Sequence, residues 1–167
     1  MTEIQSYYPA FLNLRSRLCI VVGGGKVAER KVAKLLDCSA FVRVISPNVT
    51  PQLETWAENG RIEWLKRNYE PGDVVNAWLV FAATSDQQVN RLVWVDAEEA
   101  GRLANICDSR DLCSFIVPAT IRRGALQVAI STSGTNPAAA GGLRQILESD
   151  LRGGTNHFQE EIMKYND

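Results

Sequence analysis

A chain of 167 residues suffices for one ordinary domain with at most a small appendage, and folding would bury roughly 70% of its unfolded surface. Hydrophobic residues make up 46%, charged residues 22%, and the net charge is −1; this excludes a disordered or fibrous chain and supplies no global basic excess for nucleic acid. No apolar run reaches the length of a membrane span, and Met1–Pro9 lacks a basic-then-apolar leader, so a cytoplasmic protein away from membranes is expected. The four cysteines, Cys19, Cys38, Cys107 and Cys113, contain no C-x-x-C pair and read as reduced thiols. Cys107 and Cys113 flank a loop, but two sulfurs without a nearby histidine make a poor metal site, and any metal ligands stay unknown.

The apolar run Leu18–Val22 breaks into Gly23-Gly24-Gly25 and then into a helical pattern. In Gly23-x-Gly25-x-x-Ala28, the first glycine permits a tight turn, the second lets a pyrophosphate approach the backbone, and Ala28 allows close helix–strand packing. A plain strand-to-helix turn is the alternative. Val27, Ala28, Val32, Leu35 and Leu36 then recur at helical spacing, and Phe41–Ile45 is a second strand. Thr50-Pro51 reads as a cap followed by a first-turn proline, and Asn59-Gly60 as a stop, so residues 51–59 should be helical. Ile62–Leu65 is a third strand, Pro71-Gly72-Asp73 a turn, and Ala77–Ala83 a fully apolar central strand. Val89, Leu92, Val93, Ala97 and Ala100 form the buried stripe of another helix, closed by Gly101, and Leu103–Cys107 is the next strand. This alternation is α/β: a Rossmann-like parallel sheet with helices on both faces, over residues 1–113.

After Asp111 the pattern changes, because Phe115–Ile121 and Leu126–Thr132 are separated only by Arg122-Arg123-Gly124-Ala125, a β-hairpin. Leu126, Val128 and Ile130 share one packed face, while Pro118 confines its strand to an edge or a bulge. Asn136-Pro137 opens a last helix with Leu143, Ile146, Leu147 and Leu151 facing inward, which makes 114–152 a hairpin–helix segment. Gly141 and Gly142 inside it should each cost about 1 kcal/mol relative to alanine, so either close packing uses the missing side chains or the helix begins late. Residues 153–167 form a polar tail whose His157, the sole histidine, is expected at the surface.

Together these segments resemble a known family, the precorrin-2 dehydrogenases of siroheme synthesis, which includes the N-terminal module of siroheme synthase. The resemblance rests on Tyr8–Leu14, Val22–Lys31, Ala82-Ala83-Thr84 with Asn90, Asn105–Asp108, Phe115–Ala119 and Ala129–Thr135. It implies NAD-dependent oxidation of precorrin-2 to sirohydrochlorin, with Fe²⁺ insertion to give siroheme in members that have the second activity. It also implies a homodimer, with 114–152 as the dimerisation segment.

The resemblance and the fold together distribute roles. The pyrophosphate should lie over Gly23, Gly24 and Gly25 with the N–H groups of Lys26 and Val27, and the adenosine ribose near Ser46, Pro47 and Asn48. An acid for the ribose 2′-hydroxyl is usual about 20 residues after the glycines; here Ser46-Pro47 stands instead, so the preference for NAD over NADP rests on the resemblance. Thr84, ending an apolar strand, is placed for the nicotinamide side, or is a strand-end turn residue. Asp108 follows a strand at the edge where ligands bind. The resemblance implicates it in dehydrogenation and chelation; the alternative is a loop aspartate capping a turn. For the carboxylates of the tetrapyrrole the candidates are Arg122, which could equally sit in a solvated turn, and Ser131, Thr132, Ser133 and Thr135, leading into a helix N-terminus. A nucleotide-sensing Rossmann module without chemistry is the competing class.

Overall fold

The computed structural model describes residues 6–107 and 109–152. They form two compact units, residues 9–115 and residues 116–152 with 6–8. Among the described residues no helix is long and apolar enough to cross a membrane.

The first unit runs β1 (Leu18–Val22), α1 (Lys26–Asp37), β2 (Phe41–Ile45), α2 (Pro51–Glu58), β3 (Glu63–Leu65), β4 (Leu79–Ala82), α3 (Gln87–Glu99) and β5 (Leu103–Ile106). All five strands are parallel, in the order β3-β2-β1-β4-β5. The chain builds outward from β1 through β2 to β3, then returns to place β4 on the other side of β1. That reversal opens a crevice at the carboxyl ends of β1 and β4.

Side-chain alternation divides the core. Cys19, Val21, Val42, Val44 and Phe81 face α1 and α2, against Ala28, Val32, Leu35 and Leu53. Ile20, Val22, Ile45, Val80 and Ile106 face α3, against Val93 and Ala97. Burial on both faces is why the central strands read as continuous apolar runs. Cys19 sits in this interior, and burial pushes its thiol up to about 11, an inert thiol at neutral pH.

Two expectations shift, and one cap is added. β4 begins at Leu79: Ala77 closes a turn with its N–H on Val74, and Trp78 lies partly exposed beneath the Arg17 guanidinium, 4.5 Å from its ring. Leu92 is exposed, because Val93 and Ala97 already fill the contact of α3 with the sheet. Asp86, not singled out in the sequence, caps α3 by accepting from the N–H groups of Gln88 and Val89.

The second unit is a two-stranded antiparallel hairpin, β6 (Ala119–Arg123) and β7 (Leu126–Ile130), on which α4 (Pro137–Arg152) packs. Gly124 and Ala125 alone make the turn, so Arg122 and Arg123 are strand residues, paired with Gln127 and Leu126. β6 starts after Pro118, as expected where a proline offers no N–H to a ladder. Leu126, Val128 and Ile130 do share the more buried face of β7. On α4, Ala140 and Leu151 are buried, whereas Leu143 and Ile146 are 50% and 60% exposed. The helix begins at Pro137, and a methyl group on Gly141 or Gly142 would meet no described residue within 4 Å. Neither late initiation nor close packing among the described residues therefore accounts for those glycines.

Candidate functional site

The crevice between β1 and β4 holds a cleft of about 590 Å³. Every cofactor candidate read from the sequence lines it: Gly23, Gly24 and Gly25 with Lys26 and Val27 from the β1–α1 turn, Ser46, Pro47 and Asn48 from the end of β2, and Thr84 from the end of β4.

The three glycines are needed for different reasons. Gly23 has φ +116°, a conformation open to glycine, and a Cβ there would stand 2.5 Å from the Ala83 carbonyl oxygen. At Gly24 a Cβ would fall 2.0 Å from the Asn48 carbonyl oxygen. These two residues therefore let three loops meet at the sheet edge. Gly25 differs: a Cβ there would meet no described residue within 4 Å, so its missing side chain leaves open space in the cleft. Gly25 is also the N-cap of α1 and brings no side chain to the first-turn N–H groups, which leaves them and the positive end of the helix dipole for an anion. An open glycine on an uncapped helix start fits a dinucleotide pyrophosphate.

On the β2 side, Ser46 is buried; its hydroxyl donates to the Asn48 carbonyl at 2.7 Å, and its own carbonyl accepts from the Trp64 indole at 2.9 Å. The loop holding the ribose candidates is thus fixed from within, and it carries no carboxylate. On the β4 side, the buried Asn90 folds the strand end back on itself. Its Oδ1 accepts from the Thr84 hydroxyl at 2.8 Å and its amide donates to the Thr84 carbonyl at 3.1 Å. The Thr84 oxygen also accepts from the Asp86 N–H, so its side chain builds the loop while the residue lines the cleft.

The cleft includes residues that sequence reasoning missed. Asn68 and Tyr69, after β3, line it, as do Ser85 and Asp86. Cys107, the residue after β5, lines it as well. Asp108 lies outside the described residues, as does His157. Beneath Cys107 runs a polar chain. The Lys31 ammonium lies 5.1 Å from the Phe81 ring and donates to Asn105 Oδ1 at 3.2 Å, and the Asn105 amide donates to the Phe115 carbonyl at 2.9 Å. Burial pulls Lys31 below the usual lysine range, opposed by the nearby Cys107. Cys113 accepts from the Ile106 N–H at 3.2 Å and stays protonated because burial raises its thiol. Among the described residues no group of three or more His, Cys, Asp or Glu could hold a metal.

The substrate candidates belong to the second unit. Arg122 is an exposed strand residue. In the loop before α4, Ser131 Oγ accepts from the Ser133 N–H at 3.0 Å, Thr132 Oγ1 accepts from the Asn136 N–H at 3.1 Å, and the Thr135 hydroxyl donates to the Thr132 carbonyl at 2.6 Å. Asn136 caps the helix by accepting from the Ala139 N–H at 2.9 Å. The hydroxyls organise the loop, and those of Ser131 and Thr132, used as acceptors, keep their own O–H groups for another partner.

Comparison with known proteins agrees with this geometry. Residues 10–119 match a family model described as "Putative NAD(P)-binding". Over 145 residues the chain is 39% identical to siroheme synthase of Zymomonas mobilis and 44% identical to siroheme synthase 1 of Aeromonas salmonicida, covering 87% of this chain and 31% of each of those proteins. The chain thus spans about a third of these curated relatives. The solved structure of SirC, a precorrin-2 dehydrogenase, superposes with a TM-score of 0.77 at 30% identity, covering 86% of this chain and 71% of that one. The chain belongs to this NAD(P)-binding family, the precorrin-2 dehydrogenases and the N-terminal modules of siroheme synthases.

Proposed function

We propose that the chain catalyses the NAD⁺-dependent dehydrogenation of precorrin-2 to sirohydrochlorin in the cytoplasm, as a homodimer. The observation that carries this reading is the cleft: an uncapped α1 start over an open Gly25, in a chain whose structure matches that of a precorrin-2 dehydrogenase. Bound there, NAD⁺ would supply the hydride acceptor. The protein's own work is positional. Gly23–Gly25 with the N–H groups of Lys26 and Val27 hold the pyrophosphate, Ser46, Pro47 and Asn48 meet the ribose, and Thr84 fixes the wall on the nicotinamide side. Asp108 takes the proton that precorrin-2 releases along with its hydride. Arg122 and the hydroxyl loop of Ser131, Thr132, Ser133 and Thr135 receive the substrate carboxylates.

The dimer is supported by α4, where Ala139, Gly142, Leu143 and Ile146 fall at the i, i+3, i+4, i+7 spacing of one helix face, and Leu143 and Ile146 are largely exposed. A second activity, insertion of Fe²⁺ as a substrate into sirohydrochlorin, is assigned to Asp108 together with the donors of the macrocycle.

Anaerobic incubation with precorrin-2 and NAD⁺ tests the reading: sirohydrochlorin absorbance and NADH should rise together, and Asp108→Ala should suppress both. Unchanged turnover and unchanged Fe²⁺ insertion in that variant would remove Asp108 from both mechanisms. Tight NAD⁺ binding without turnover would favour a nucleotide sensor instead.

A further inference from the structure

The connection from β3 to β4 is a long crossover that needs only to return the chain across the sheet, yet residues 67–73 are tied down at both ends. The Arg67 guanidinium makes two bonds to the Asp73 carboxylate, 2.8 Å and 2.7 Å, and donates to the Asn68 carbonyl at 2.9 Å. Asp73 also accepts from the Glu70 N–H at 2.9 Å. Across the loop, the Tyr69 hydroxyl donates to Asp96 on α3 at 2.6 Å, and the same carboxylate accepts from the Gly72 N–H at 3.0 Å. Burial and the Asp96 charge raise the Tyr69 phenol well above its usual range, so it remains a donor. Tyr69 packs against the buried cluster that includes Val22 and Ile45, two residues that also line the cleft. The consequence of these ties is that Asn68 and Tyr69 are held as part of the cleft wall.

Their place in the cleft assigns them an end of the ligand. The pyrophosphate site at the start of α1 divides the cleft, and in a sheet of this order the adenosine half runs toward the end of β2. β3 is the strand beyond β2, so its following loop walls the adenosine half and not the nicotinamide half, which runs toward β4 and β5. Asn68 is exposed, and its side-chain amide makes no hydrogen bond to a described residue, although the loop around it is fully tied.

We infer that the loop after β3 is a preformed adenosine-binding wall, with the Asn68 amide and the Tyr69 ring contacting the adenosine moiety of the dinucleotide. The inference rests on the proposed reading of the cleft as an NAD⁺ site. It also adds polar recognition to a site whose β2 end brings no carboxylate.

The test is calorimetric titration of wild type, Asn68→Ala and Tyr69→Phe with NAD⁺ and, separately, with ADP-ribose, which lacks nicotinamide. Asn68→Ala should weaken both ligands equally, by roughly three- to tenfold, the worth of one neutral hydrogen bond, with an unchanged melting temperature. Tyr69→Phe keeps the ring and loses the Asp96 tie, so both affinities should fall in the same ratio, by a smaller factor. ADP-ribose affinity within twofold of wild type in Asn68→Ala, or a loss confined to NAD⁺, would overturn the wall. Failure of the wild type to bind NAD⁺ would instead overturn the reading of the cleft.

Discussion

The two units of this chain use their apolar residues differently. In residues 9–115 the sheet is covered on both faces, and Ile20, Val21, Val44, Leu53 and Val80 are wholly inaccessible. Among the described residues of the second unit, burial of large residues is confined to Ile121 and Leu151, while α4 turns Leu143 and Ile146 outward. One unit finishes its core within its own chain, and that finished core aims the glycine turn at the sheet edge. The other leaves an apolar helix face whose partner the proposed dimer would provide.

Substitutions can break this contrast in descending order of effect. Gly24→Ala should be the most damaging, costing more than about 3 kcal/mol, because its Cβ would stand 2.0 Å from a backbone oxygen. Gly25→Ala, one residue on, should leave stability within about 0.5 kcal/mol and weaken NAD⁺ binding about tenfold or more. Thermal melts and NAD⁺ titrations of the pair check this, and equal melting losses would contradict it. Leu53→Ala should cost about 2–4 kcal/mol by opening a cavity beneath α2, read from urea midpoints.

Asp73→Asn should cost about 1–2 kcal/mol at neutral pH, since Asp73 is well covered but Arg67 is partly exposed. The Arg67 guanidinium holds the Asp73 carboxyl below its ordinary value of 3.8. The stabilisation is therefore complete above that value and is lost as pH falls through the lower, folded one. Stability curves of wild type and variant should converge in acid; a constant gap would exclude the ion pair as the cause. Ile146→Glu should change the stability of the isolated chain least, within about 0.5 kcal/mol, while shifting sedimentation from dimer to monomer.

The cleft was largely legible because its chemistry is local: a glycine-rich turn between a strand and a helix is a continuous stretch of sequence, and Gly23 and Gly24 in it make the close approaches. What was not legible depends on chain return. Asn68 and Tyr69 reach the cleft only because β3 lies beside β2, although their position just past a predicted strand, at the carboxyl edge, was an available signal. Leu143 and Ile146 follow the helical period, but the face they mark is largely exposed in this unit rather than turned inward. Periodicity says that a face seeks apolar contact, not whether the same chain supplies it. The four residues between the apparent strands suggest a turn that includes Arg122, whereas the hairpin closes on Gly124 and Ala125 alone.

In the proposed function the cleft couples a bound dinucleotide to oxidation of a tetrapyrrole. A stopped-flow measurement of NADH and sirohydrochlorin formed from precorrin-2 and NAD⁺ tests it directly. Equal amounts of both products should appear at the same rate, and at limiting NAD⁺ Gly25→Ala should slow both together, by the factor it costs in NAD⁺ affinity. Saturable NAD⁺ binding with neither product formed would contradict it.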